Sequence, residues 1–276
     1  MDQKLKIGLR SVAQSPSLQP GKDTVRGLAY HLPAEVLLAA LPVGSVDLLY
    51  ADPPFGTGRQ KVSRTGRYDD PGGEAYFRWL EGILQAGHRV LSDKGSLFIH
   101  LDWRAAPYAR IILDRIFGVS RLVNEIIWAY RTGGVPRRHL ARKHDTILYY
   151  AKTDGYTFNR STERSRLRHH YGFSNVKIER DSEGLYRETY LRDVWEIPAL
   201  RGNQSEASGY PTQKPLALLK RILQIASDPG DLICDPFCGS GTTAVAAESS
   251  QRYWITCDIS KKALAITGKR LAAESS

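Results

Sequence analysis

Apolar and polar positions along the chain change their period several times, and each change marks an element. Residues 45–51, SVDLLYA, are a short apolar run that stops at a Pro-Pro pair, which predicts a buried strand ending in a rigid loop. Between Glu74 and Leu91 the positions Phe77, Leu80, Ile83, Leu84 and Val90 recur at near-helical spacing. Gly95 then introduces a second buried strand, SLFIHL, over residues 96–101. A strand-helix-strand unit results. The same reading gives a helix over 104–117, a strand over 122–130 and another over 146–151, TILYYA.

From Thr153 to Gly209 the periodicity fails, and Arg, Glu, Ser and Tyr predominate until VWEIPAL at 194–200. This stretch predicts an insertion or small subdomain. Beyond it Pro215 opens an apolar helix over 216–226, followed by a strand at 231–234, a glycine-containing loop and a helix from Thr242. A strand at 253–257 and a last helix close the chain. Alternating strands and helices predict an α/β fold with a parallel or mostly parallel sheet covered on both faces.

With 276 residues the chain can bury a sizeable core without staples. Its net charge of +10 favours a polyanionic partner, because each cation that neutralises a phosphate releases a counterion. Three cysteines, an odd number without paired metal-ligand spacing, argue against a disulfide framework and for a reducing cytoplasm. The first twenty residues are polar and resemble neither a signal peptide nor an anchor, and no apolar run is long enough to span a bilayer, so no membrane association is expected. The histidines complete no metal-site spacing with cysteines or carboxylates, and no metal is expected.

Residues 232–260, LICDPFCGSGTTAVAAESSQRYWITCDIS, order a strand, a glycine turn, a helix, a second strand and an acidic residue. That is the logic of a nucleotide-type cofactor site. Gly239 and Gly241 allow close backbone approach, and Asp258 can accept hydrogen bonds from two ribose hydroxyls. Ala244 stands where a dinucleotide fingerprint carries its third glycine, which favours a smaller cofactor without a pyrophosphate. Taken alone, the segment also reads as a tight turn before a helix. Asp52-Pro53-Pro54-Phe55 follows the strand at 45–51, on the ligand-binding rim of an open α/β sheet. Its ring can stack on an extruded base, its carboxylate can accept one amino hydrogen, and a carbonyl of the Pro-Pro turn can accept the other. Such a tetrapeptide alone is also a plain strand terminator; both motifs in one basic chain favour the base-amine reading.

This order of motifs resembles the amino-methyltransferases of DNA in their circularly permuted β-type arrangement. There a D/N/S-P-P-Y/F/W motif comes first, a target-recognition segment follows, and F-x-G-x-G lies near the C-terminus. The matching stretches here are Asp52 to Phe55, residues 153–209, and Phe237-Cys238-Gly239-Ser240-Gly241. Tyr210-Pro211-Thr212-Gln213-Lys214-Pro215 is similar to the family's T-Q-K-P element, and Gly95-Ser96-Leu97-Phe98-Ile99-His100 matches another family stretch. Asn124-Glu125-Ile126-Ile127-Trp128, with Lys143-His144-Asp145-Thr146, looks like the family's base-pocket strands.

The resemblance implies a Rossmann-like, S-adenosylmethionine-dependent methyltransferase sheet, circularly permuted. An N-terminal extension would occupy 1–27, a catalytic half 28–152, the target-recognition segment 153–209 and a cofactor-binding half 210–276. It implies S-adenosyl-L-methionine held by Asp235, Phe237, Cys238, Gly239, Ser240, Gly241, Thr242 and Asp258, with Thr212, Lys214 and Asp52 completing the site. One feature departs from the family: no acidic residue for the cofactor's adenine stands in Ala29-Tyr30-His31-Leu32-Pro33, which leaves His31 or a backbone amide for that role.

The implied substrate is duplex DNA, methylated at an exocyclic amine by base flipping and direct in-line transfer, with Asp52, Pro53, Pro54 and Phe55 at the reacting nitrogen. In the family an aspartate at the first motif position is more usual for N6-adenine enzymes and a serine for N4-cytosine enzymes, so adenine is expected and cytosine is the alternative. Phosphate contacts are expected from Arg59, Lys61, Arg64 and Arg67, and from Arg137, Arg138, Arg142 and Lys143; such clusters are also ordinary solvated surface. A second copy of the chain and a cognate restriction endonuclease are partners the resemblance admits. RNA and protein-glutamine methyltransferases share the fold, but the glutamine enzymes resemble N-P-P-Y and no RNA-binding module is visible. A catalytically silent DNA-binding protein is at odds with an intact D-P-P-F.

Overall fold

The computed structural model describes residues 26–55, 60–63, 66–69, 73–131, 134–167, 169 and 176–274. In chain order the first elements are β1 (Gly27–His31), α1 (Ala34–Ala40), β2 (Val46–Ala51), β3 (Gln60–Ser63), β4 (Gly66–Asp69), α2 (Gly73–Val90), β5 (Leu91–Leu101), α3 (Ala106–Phe117), β6 (Leu122–Ala129) and β7 (His144–Ala151). There follow β8 (Thr162–Leu167), β9 (Glu179–Asp181), β10 (Gly184–Tyr190), β11 (Val194–Trp195), α4 (Leu216–Ala226), β12 (Leu232–Asp235), α5 (Thr242–Ser249), β13 (Tyr253–Asp258) and α6 (Lys261–Glu274). Eight strands make one sheet in the order β1-β13-β12-β2-β5-β7-β6-β11, and β8-β10-β9 and β3-β4 form two small antiparallel units. Among the described residues no helix is long and apolar enough to cross a membrane.

The sheet carries a hydrophobic core on each face. In β2, Val46, Leu49 and Ala51 enter the core covered by α1, α2 and α3, while Leu48 and Tyr50 enter the one covered by α4, α5 and α6. Burial on both faces explains why the strand reads as a continuous apolar run. Neighbouring strands are parallel except at β7, which is antiparallel to both β5 and β6. β6 returns to β7 through a loop and not a helix, so the chain reverses direction there.

Two features differ from the sequence reading. β1 and α1, at five and seven residues, are too short to show a period, and they precede the first strand the pattern predicts. A Cβ on Gly27 would lie 1.8 Å from the Trp254 ring, so the β1 backbone rests on the indole. Secondly, the polar stretch 153–209 is not wholly outside the main sheet. β11 pairs in parallel with β6, with Trp195 opposite Trp128. Trp195 is only 2% exposed, and the Trp128 indole N–H donates to the Ile197 carbonyl at 2.7 Å. The separate small sheet therefore spans β8 to β10, and the residues from Val194 onward belong to the main body.

The turn after β12 is shaped by a buried carboxylate. Asp235 accepts the Phe237 N–H at 2.9 Å and the Thr243 hydroxyl at 2.5 Å, tying the strand end to the start of α5. Gly239 and Gly241 have φ of 50° and 78°, in the left-handed region that favours glycine. Burial pushes the Asp235 carboxyl up to about 7, against the two hydrogen bonds that favour its charged form.

Two predictions test this architecture. Trp195→Ala should lower the stability of the whole protein by about 3–5 kcal/mol in urea denaturation; a negligible loss would place β11 outside the core. For Asp235, the folded state holds a proton that the unfolded chain releases near the ordinary carboxylate pKa of about 4. Its contribution to stability therefore falls as pH rises from there toward 7. Denaturation of the wild type and Asp235→Asn across that window should show the difference narrowing in the variant's favour, and a pH-independent difference would remove the raised carboxyl.

Candidate active site

β2, β12 and β13 run parallel and end on one rim of the sheet. Asp52-Pro53-Pro54-Phe55 follows β2 there, with two residues that lack an N–H donor and have a fixed φ. The partner of Asp52 comes from far along the chain: Lys214 Nζ donates to Asp52 Oδ2 across 162 residues. Lys214 is 9% exposed and immediately precedes Pro215, which caps α4, and its ammonium lies 5.5 Å from the Phe55 ring centroid. The sequence reading placed Asp52 and Lys214 at one site without pairing them; the structure joins them directly. Removing the Asp52 charge leaves a nearly buried ammonium without its partner, which costs stability as well as chemistry.

Behind Phe55 stands a polar chain of which sequence reasoning had placed only the stretch holding Asp145 at the base pocket. The Phe55 and His100 rings stack with centroids 6.4 Å apart, and His100 is fully buried at the end of β5. Its Nδ1 lies 3.0 Å from the Tyr50 hydroxyl and its Nε2 lies 3.2 Å from Asp145 Oδ2. Asp145 Oδ1 in turn accepts the Tyr130 hydroxyl at 3.1 Å. Burial, then the Lys214 charge, holds the imidazole below its usual pKa, so the ring is neutral. Burial alone would raise the Asp145 carboxyl, but the hydrogen bond from His100, the Lys214 charge and the Tyr130 hydroxyl outweigh it and hold it below its usual pKa, ionised. An ionised acceptor at Asp145 requires N–H on Nε2, and the Tyr50 hydroxyl then donates to Nδ1. Trp128 meets His100 edge to face at 5.3 Å. The signal was present in the sequence as the family-like stretches ending in His100 and containing Asp145, but nothing in either stretch reveals that they meet.

The glycine turn lies beside this loop. Asp258 Oδ2 accepts the Gly239 N–H at 2.9 Å and Oδ1 the Ser260 N–H at 2.8 Å, which leaves further lone pairs on each oxygen for a ligand. Burial raises the Asp258 carboxyl above its usual range. A Cβ at Gly239 would come within 3.2 Å of the Tyr210 ring, so Tyr210 roofs the turn. Its hydroxyl is pushed up by burial and by the nearby carboxylates of Asp258 and Asp52. Phe237 meets Trp79 edge-on at 5.8 Å, and the Trp79 indole donates to Glu35. Ser240 and Thr242 are buried and share the Arg270 guanidinium at 3.2 and 2.9 Å, while the Thr242 hydroxyl donates to the Lys214 carbonyl at 3.1 Å. Thus the turn is tied to the lysine that holds Asp52. Cys238 is 6% exposed and its thiol is pushed up by burial, as befits a packing residue. Thr212 sits in an exposed turn and makes no side-chain bond within the pocket. His31 lies opposite Asp258 in the sheet with its Nε2 2.9 Å from the Ile259 carbonyl, and no acidic side chain replaces it on β1.

On the same rim Trp103 follows β5, and the Arg142 guanidinium lies 4.1 Å over its ring. Arg137 and Arg138 are exposed, and Lys143 donates to the Gly134 carbonyl at 3.2 Å. Lys61 and Arg67 fall on the β3-β4 hairpin; Arg59 and Arg64 lie outside the described residues.

Comparison with known proteins agrees with this geometry. The DNA methylase family matches residues 46–269. The chain is 30% identical over 244 residues to the DNA adenine methyltransferase YhdJ of Escherichia coli (strain K12), covering 87% of this chain and 81% of the relative. It is 30% identical over 254 residues to the type II methyltransferase M.BglII of Bacillus subtilis, covering 86% and 67%. Among solved structures it resembles the PvuII cytosine-N4-specific DNA methyltransferase, with a TM-score of 0.65, 18% identity and coverage of 90% and 86%. It also resembles the M1.HpyAVI complex with SAM, with a TM-score of 0.60, 21% identity and coverage of 89% and 98%. With the family match spanning residues 46–269, most of the chain, the protein belongs to the DNA methylase family, whose members are amino-methyltransferases of DNA.

Proposed function

We propose that the protein transfers a methyl group from S-adenosyl-L-methionine to N6 of adenine in duplex DNA, after the base has left the stack. The observation that carries this reading is the junction of the two motifs, with Lys214 bound through its side chain to Asp52 and through its carbonyl to Thr242 of the glycine turn. The donor set fits the cofactor: a turn without side chains at Gly239 and Gly241, a roofing aromatic at Tyr210, and a carboxylate with spare lone pairs at Asp258. Asp258 and the turn would hold it, with Phe237 against its apolar part and Lys214 near its charged end. When bound, it supplies an electrophilic methyl carbon on a sulfonium, a centre that needs no enzyme nucleophile.

The chain's own task is to make an exocyclic amine nucleophilic. Its lone pair is delocalised into the ring, and hydrogen bonds from the amine to Asp52 and to a carbonyl of the Pro-Pro turn favour a nitrogen whose lone pair points out of the ring plane. As the new N–C bond forms, the nitrogen loses a proton, and Asp52 is placed to accept it. Phe55 holds the base by stacking, and its ring is braced by His100. The aspartate at the first motif position and the adenine activity named for the Escherichia coli relative support adenine over cytosine. The β8-β10-β9 sheet, with Arg164 and Arg166 lying over Tyr186, is the part of the polar stretch we assign to target recognition. A permuted order fits a chain whose cofactor turn follows its catalytic loop.

Incubation with isotopically labelled cofactor and, in parallel, duplex DNA, RNA and protein, followed by digestion and mass spectrometry, tests the reading. Label should appear as N6-methyladenine. N4-methylcytosine would overturn the base assignment alone, and 5-methylcytosine the amine mechanism as well. Asp52→Asn should abolish turnover while leaving cofactor affinity within a few-fold of the wild type; substantial remaining turnover would take Asp52 out of the mechanism. Phe55→Ala should weaken capture of the base by about 1–3 kcal/mol, the range for base-aromatic stacking. In calorimetric titrations Asp258→Ala should weaken cofactor binding far more than DNA binding, and equal losses would disconnect that carboxylate from the cofactor.

A further inference from the structure

Large apolar side chains exposed singly on a protein surface are ordinary and call for no function. The two most exposed among the described residues, Leu140 at 91% and Val135 at 90%, lie in one loop, between β6 and β7. Val43 and Val119, also strongly exposed, precede β2 and β6 and so sit at the opposite edge of the sheet from the catalytic loop. The loop of Leu140 and Val135 is on the catalytic rim. Arginines are interleaved with its apolar residues: Arg137 and Arg138 are exposed between them, and Arg142 follows, its guanidinium 4.1 Å over the exposed ring of Trp103.

The base of the loop is held firmly. Tyr130 N–H donates to the Lys143 carbonyl at 2.8 Å, and Lys143 Nζ reaches back to the Gly134 carbonyl at 3.2 Å. Two residues beyond, Asp145 enters the hydrogen-bonded chain that ends on His100 and the Phe55 stack. A tip of exposed leucine and valine thus stands on a fixed stem rooted in the wall of the base pocket.

Proteins that open a duplex insert apolar side chains between base steps and hold the flanking phosphates with cations. Extruding a base leaves a gap in the stack and costs pairing and stacking energy, least where the base is already unpaired. We propose that residues 134–142 are the wedge of this enzyme: Leu140 and Val135 enter the DNA and occupy the space vacated by the target base, while Arg137 and Arg138 hold the adjoining phosphates. The proposal rests on the base-flipping reading above and adds the surface that would hold the duplex open. Leu140 and Val135 are positioning residues that act on the DNA stack and not on the reacting amine.

The test uses a duplex carrying the sequence that the wild-type protein methylates, mapped beforehand on unmodified genomic DNA, with the target base either normally paired or opposite an abasic site. Single-turnover methyl transfer by Val135→Ala/Leu140→Ala should fall about tenfold or more on the paired duplex and stay within about twofold of wild type opposite the abasic site. Arg137→Ala/Arg138→Ala should weaken binding to both duplexes alike, with a shallower salt dependence than wild type. An unchanged rate of the apolar double variant on the paired duplex, or an equal loss on both duplexes, overturns the wedge and leaves the methyltransferase reading standing. Absence of transfer by the wild type to any unmodified DNA overturns both.

Discussion

The contact between Lys214 and Asp52 joins two segments that the chain keeps 162 residues apart, and most of the site's geometry follows from it. Lys214 is fixed by its position just before α4, by Pro215, and by the hydrogen bond from Thr242 to its carbonyl. Asp52 is fixed by the end of β2 and two prolines. An ion pair this far from water gains little net stability, because desolvation offsets the attraction. Its value lies in register: it aligns the Pro-Pro loop with the glycine turn, and the Phe55 ring near the ammonium takes its place from both.

A second constraint supports the first. His100 is neutral and held at both nitrogens, so it has one orientation and one tautomer. Its ring is packed between Phe55 and the edge of Trp128, and its hydrogen-bond partners Tyr50 and Asp145 come from the central strands β2 and β7. The aromatic surface offered to a base is therefore backed by the sheet itself and not by a loop. Rigid support of this kind keeps a hydrogen-bonding site aligned without reorganisation when the substrate arrives.

Most of the architecture was legible in the sequence, because strands buried on both faces and helices buried on one leave distinct periods. β2, β5, α2 and α4 fall within a few residues of their predicted places. The pattern was silent where an element is too short to have a period, as in β1 and α1, and misleading at β11, a two-residue strand whose short apolar run at 194–200 ends a long polar stretch and was grouped with it. For the site, the motifs named the carboxylate, the ring and the turn that lie together on one rim of the sheet. They could not show that Lys214 pairs with Asp52, that Tyr210 roofs Gly239, or that His100 and Asp145 meet, since these are contacts between strands and loops distant in sequence. The absence of an acidic residue on β1 was read correctly, yet the sequence did not show that His31 would be engaged with the Ile259 carbonyl.

The placement of β11 also sets how far the segment before it can vary. The small sheet is attached through polar contacts at its edge: Glu163 is shared by Arg192 and Arg221, and Asn159 bonds the backbone and side chain at the end of α4. These contacts gather at Glu163 and Asn159 beside β8, and ion pairs at the exposed residues of the small sheet contribute little to stability, so β8 to β10 can change those residues at small cost to the fold. From Val194 the chain re-enters the core, closes the sheet against β6, and then runs through Glu206 and Gln213, which bond to the start of α4 and to Ser208, before reaching Lys214. The surface of the small sheet is therefore free to change between two rigid anchors, while the segment leading to Lys214 is bound to the geometry around Asp52.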